Sequence, residues 1–79
     1  MVRASDVSMQ AVGNRIRQLR GELSQLEFAE SLGIPQSSVA RWETGQMYPA
    51  VTTLIAIADA CGISLDWLLL GRAEGARQK

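Results

Sequence analysis

The sequence predicts an all-α domain, a compact bundle of five short helices. Three observations carry that expectation. Apolar residues recur at three- and four-residue spacings in five separate runs. A glycine (Gly21, Gly33, Gly45, Gly62 and Gly71) closes each run, where a helix would stop. No run alternates apolar and polar residues as a half-buried strand does. The 79 residues make one domain, and a core this small is marginal unless it packs efficiently or a partner contributes. Residues are 47% hydrophobic but only 5% aromatic, so the core is built on leucine, isoleucine, valine and alanine.

The first helix is expected over Met9–Arg20, with Val12, Ile16, Leu19 and then Leu23 forming one apolar stripe. Ser24 followed by Glu27 is a capping box, in which hydroxyl and carboxylate each satisfy a free backbone amide, so the second helix spans Gln25–Leu32. Phe28 and Leu32 share its inner face, and Ala29 lies where two steeply crossing helices must come close. Gly33 ends this helix, because glycine enters the left-handed conformation without a Cβ penalty. The third helix begins after Pro35 and ends near Thr44, with Val39 and Trp42 on a common face and Ile34 dropping into the gap before it. A fourth covers Val51–Ala60, turning Leu54, Ile57, Ala58 and Cys61 inward. Ser64 caps a fifth, Leu65–Leu70, which docks through Leu65, Leu68 and Leu69. Residues 9–71 therefore read as the folded domain, residues 1–8 as a flexible N-terminal extension, and residues 72–79 as a flexible tail or the start of a linker.

Composition narrows the function. One cysteine, Cys61, allows no internal disulfide and reads as a buried structural thiol. Without histidine the usual zinc sites are excluded, and no metal or other cofactor is expected. No glycine-rich phosphate loop is present, and no base is placed to activate a serine, so an enzyme is not expected. The longest apolar stretch, near 54–63, carries Asp59 and is too short to cross a bilayer, and the N-terminus has no signal-peptide core. The expectation is a soluble, cytoplasmic protein with no membrane partner. The formal net charge is zero, and between Met9 and Gly71 four arginines (Arg15, Arg17, Arg20, Arg41) face six acids (Glu22, Glu27, Glu30, Glu43, Asp59, Asp66). A field of that sign supplies little non-specific affinity for nucleic acid. Any such binding must come from local placement of amides, hydroxyls and helix N-termini, doubled through a dimer.

The stretch Gln25–Gly45, QLEFAESLGIPQSSVARWETG, nevertheless has the spacing of a helix–turn–helix, whose second helix can enter a DNA major groove. Taken with NRIRQLR, YPAVTTLIAIADACGIS and LDWLLLG, it resembles the lambda-repressor-like (phage repressor and Cro) family over residues 12–71. The ending SLDWLLLG looks most like the phage-repressor branch. The resemblance implies a five-helix domain that docks on a double-stranded operator, usually as a dimer on a roughly palindromic site. It places Gln25 at a phosphate, Gln36 and Ser37 at base edges, and Arg41 at a base or phosphate. Those residue types suit the task, since glutamine pairs in bidentate fashion with adenine and arginine with guanine. Ser38 either backs a phosphate contact or caps locally. In the loop Gln46–Tyr48, which lacks the family's common basic residues, the Gln46 amide and the Tyr48 hydroxyl are candidates to replace them; Tyr48 as a packer at the core edge is the alternative.

The family also implies a structural ion pair between Arg20, ending helix one, and Glu43, near the end of helix three. The connection from Arg20 to Gln25 is about two residues shorter than the common pattern, which leaves the contacts of Arg15 and Arg17 open. Pro35 and Ala50 stand where capping hydroxyls are usual, each omission forgoing about 1 kcal/mol. Trp67 and Leu70 form a second apolar stripe on helix five and are the expected dimer interface; the alternative is that Trp67 folds over the domain's own surface. The function expected is a sequence-specific DNA-binding regulator, a phage-type repressor. The alternative from another class is an antitoxin-like or adaptor protein that uses the same fold mainly for protein–protein interaction, as the neutral charge would suit.

Overall fold

Local chemistry sets where each helix begins. In the computed structural model, which describes residues 7–71, Ser8 Oγ accepts from the Ala11 amide at 3.1 Å and starts α1 (Met9–Arg20). Ser8 thus caps a helix from within the segment expected to be an extension; the rest of that segment, and the tail 72–79, lie outside the described residues. At α2 (Gln25–Leu32) the capping box is complete: Glu27 N–H donates to Ser24 Oγ at 3.0 Å, and Ser24 N–H to Glu27 Oε1 at 2.9 Å. Neither α3 (Gln36–Glu43) nor α4 (Val51–Cys61) has a side-chain cap, as Pro35 and Ala50 require. Ser64 caps α5 (Leu65–Leu70) by accepting from Trp67 N–H at 3.1 Å. The five glycines read as stops all lie at positive φ, where the chain leaves its helix.

One core serves all five helices. Val12 and Ile16 from α1, Phe28 and Ala29 from α2, Val39 and Trp42 from α3, Leu54 and Ile57 from α4, and Leu68 from α5 are buried together. Ile34 packs against this cluster from the α2–α3 turn, and Met47, Cys61 and Ile63 close it from the loops and the end of α4. Burial pushes the Cys61 thiol up from its ordinary value. One close helix–helix approach was not foreseen. Gly13 of α1 lies against the backbone of α3, where a Cβ would overlap the Trp42 carbonyl oxygen. A glycine inside a helix is the signal that could have revealed it.

Two expectations of burial fail. Leu23 does not continue the α1 stripe but is 45% exposed, because Gly21 (φ 56°, ψ −123°) turns the chain off the helix axis two residues earlier. Leu65 does not dock α5 either. It is exposed beside Ile55 and Ile63, around a shallow groove of about 430 Å³, while Leu68, Leu69 and Trp67 hold α5 on the core. Within this six-residue helix the inward side is the one carrying Trp67, Leu68 and Leu69, and Leu65 at its start lies off that side. Arg15 secures α5 by donating from Nη1 to the Leu68 carbonyl at 3.0 Å, one of the acceptors a helix end leaves open.

Candidate nucleic-acid interface

The turn between α2 and α3 fixes their crossing. Gly33 adopts the left-handed conformation (φ 71°), and the Ile34 amide reaches back to the Ala29 carbonyl at 3.0 Å. Ala29 has no exposed surface, so its small side chain is what lets the two helices cross closely. From this joint α3 turns Val39, Trp42 and Glu43 inward, all at or below 3% exposure. At 100° per residue the opposite side of the helix is the edge carrying Ser37, Ala40, Arg41 and Thr44, with Gln36 at its N-terminal end. Gln36, Ser37, Arg41 and Thr44 are exposed; Ser38 and Ala40 are half-buried. Gln46 is exposed just past the helix, its backbone N–H donating to the Arg41 carbonyl at 2.9 Å. Tyr48 is 42% exposed.

Beneath that edge is a buried charge network centred on Glu43, whose side chain has no exposed surface. Arg20 grips it with two parallel bonds, Nε to Oε2 at 2.7 Å and Nη2 to Oε1 at 2.9 Å. Its third donor, Nη1, holds the Leu23 carbonyl at 2.8 Å and so ties the short α1–α2 turn to the same point. Arg17 Nε lies 3.5 Å from Glu43 Oε1, on a side chain still 62% exposed. Burial alone pushes the Glu43 carboxyl up. The hydrogen bonds from Arg20 and Gln25 and the charges of Arg20 and Arg17 outweigh it and hold the carboxyl below the ordinary range. The same hydrogen bond raises the Arg20 guanidinium further above its already high value.

Gln25 connects the two layers in a way the sequence did not reveal. Its Nε2 donates to Glu43 Oε1 at 3.1 Å, so one of its two amide hydrogens is committed to the buried carboxylate. The first backbone amides of α2 have no intrahelical acceptor, and they lie beside it. Gln10 adds a further link, donating to the Glu43 carbonyl at 3.4 Å and to Asn14 Oδ1 at 2.9 Å. On α5 the residues read as a dimer face are both half-buried, and Trp67 packs on the core.

A short helix locked to a crossing partner, with an exposed hydrogen-bonding edge and a buried ion pair at its root, defines a helix–turn–helix unit. The family model described as helix-turn-helix matches residues 15–68, and the chain belongs to this lambda-repressor-like family. Over 48 residues, 61% of the chain, it is 37% identical to an uncharacterized HTH-type transcriptional regulator of Haemophilus influenzae, covering 20% of that protein. It is similar, at 36% identity over 67% of its length, to the uncharacterized HTH-type transcriptional regulator YqaE of Bacillus subtilis, covering 46% of it. With the HTH-type transcriptional activator BcrR of Enterococcus faecalis it shares 32% identity over 72% of its length, covering 29% of that protein. In each case the match spans less than half of the relative.

Proposed function

We propose that this chain is a sequence-specific DNA-binding regulator, a phage-type repressor that places α3 in the major groove of a palindromic operator as a dimer. The observation that carries this reading is the outward edge of α3. Gln36, Ser37 and Arg41 are exposed together on a helix whose other side is sealed into the core, so they are free to meet base edges. Gln25 and the free amides of α2 stand where a phosphate would fix the docking angle, with Ser38 and Gln46 as further phosphate partners. A two-fold dimer through Trp67 and Leu70 sets the two recognition helices about 34 Å apart, one DNA turn. A protein of this kind works in the cytoplasm. Whether it represses or, like the relative named an activator, activates follows from where its operator lies relative to a promoter.

The test is a salt-dependent titration against random and candidate operator duplexes. The reading expects selective binding, with Gln36→Ala and Arg41→Ala each costing about 1–3 kcal/mol at particular base positions. It also expects a shallow salt dependence. Arg17 and Arg41 from two protomers give a slope of roughly −4 in log K against log salt. Uniform, negligible binding to every duplex overturns it and favours the adaptor reading. One observation supports that second reading: Arg15 and Arg20 spend their guanidinium groups inside the fold, which leaves little positive field outside.

A further inference from the structure

The exposed edge of α3 carries apolar groups among its hydrogen-bonding ones. Ala40 lies four residues after Gln36 and three after Ser37, so both are its neighbours one helical turn away, and Arg41 follows it around the helix. One turn further on, Thr44 is exposed, but its hydroxyl is turned back onto the helix, donating to the Ala40 carbonyl at 2.9 Å and lying 3.3 Å from that of Arg41. That bond uses the one hydroxyl hydrogen, so Thr44 keeps no side-chain donor to offer a base, only an acceptor oxygen and a methyl group. Among Gln36, Ser37, Ala40 and Arg41, the half-buried Ala40 is the one side chain that offers no hydrogen bond, only a methyl group.

We infer that Ala40 reads a thymine through its C5 methyl, so that each half-site carries a T·A pair facing the middle of α3. This rests on the DNA-reading function proposed above. If Gln36, Ser37 and Arg41 reach base edges, Ala40 is carried to the floor of the groove between them. A methyl pressed there against the N4 amino group of cytosine, or O6 and N7 of guanine, strips water from a polar atom and returns no hydrogen bond. The thymine methyl is the one apolar feature in the major groove, and contact with an alanine or threonine methyl removes both from water.

The experiment starts from duplexes selected by the full chain out of a randomised pool. On a selected duplex each thymine is replaced singly by uracil, which deletes the C5 methyl and keeps the pairing. One thymine in a half-site should then weaken binding by about four-fold, the size expected for one methyl withdrawn from an apolar contact. That effect should vanish in Ala40→Gly, with folding checked by circular dichroism. Since glycine weakens a helix interior, Ala40→Ser is the second variant, and the duplexes it selects should lose the thymine at that pair. Selection without any uracil effect, an undiminished effect in Ala40→Gly, or retention of the thymine by Ala40→Ser overturns the inference while leaving the regulator reading intact. Failure to select any duplex overturns that reading, and this one with it.

Discussion

Replacing Arg20 with alanine removes both members of the paired grip on Glu43 and strands a carboxylate that has no exposed surface. What stays behind is Gln25 Nε2 at 3.1 Å and Arg17 Nε at 3.5 Å, the latter on a largely exposed side chain. Taking one partner from a buried ion pair costs about 3–5 kcal/mol. Because Gln25 and Arg17 still offset part of the charge, the lower end, about 3 kcal/mol, is expected. A domain of this length has a total stability of roughly 4–12 kcal/mol, so the variant loses a large share of it. At about 4–8 °C per kcal/mol, Tm should fall by roughly 12–24 °C. Thermal unfolding followed by far-UV circular dichroism at neutral pH measures this. Adding Glu43→Gln to Arg20→Ala should then restore part of the loss, since it removes the stranded charge. A fall in Tm of less than about 4 °C refutes the reasoning, because the pair then contributes no more than an exposed one.

Acid provides an independent reading of the same carboxyl. A group whose folded value is depressed stabilises the fold fully above its unfolded value, about 4.3, and that contribution disappears as pH falls through the folded value. Stability should therefore drop below about pH 4.3, and drop less steeply in Glu43→Gln; parallel pH profiles in urea titrations would contradict it. Gly13→Ala should destabilise by about 1–3 kcal/mol or more, since the Trp42 carbonyl it meets is helix backbone and cannot rotate away; an unchanged urea midpoint would show that α1 and α3 separate freely. On α5, Trp67→Ala should weaken self-association and operator affinity together. Leu70→Ala, outside the buried cluster, should do so with little loss of stability, and sedimentation and DNA titration unmoved by both would put the interface elsewhere.

The helix boundaries were legible because they are decided locally. Ser24 with Glu27, Ser64, and the glycines that close each run are chemistry within four residues of the helix end they set. The Arg20–Glu43 pair was legible only through family resemblance, since 23 residues separate its members and no local pattern joins them. What escaped was tertiary. Leu23 and Leu65 fit their stripes by spacing yet are exposed: the backbone leaves the axis at Gly21 in one case, and in the other α5 docks through Trp67, Leu68 and Leu69 instead. Gln25 read as a phosphate ligand, and its commitment to Glu43 could not be seen without knowing that α2 begins over the root of α3. Arg15, left open at first, proves to hold α5 through a carbonyl 53 residues away.

The inward use of arginine also bears on how such a domain recognises its partner. Arg20 is consumed by Glu43, Arg15 by the end of α5, and Arg17 is shared with Glu43, so among the described residues Arg41 is the cation with the least competing demand. These side chains hold α1, α3 and α5 in register; in a strongly basic domain they would instead supply the long-range attraction that gathers non-specific affinity. Affinity must then come from short-range complementarity, namely the amide, hydroxyl, guanidinium and methyl groups along one eight-residue helix. A single such edge offers only a few contacts of about 1–3 kcal/mol each, part of which is lost in ordering the partners. Two linked copies turn the second docking into an intramolecular event and raise the effective concentration of the second edge without any new contact. The DNA reading proposed for so neutral a domain therefore predicts association, and a variant held monomeric should select no site in the same titration.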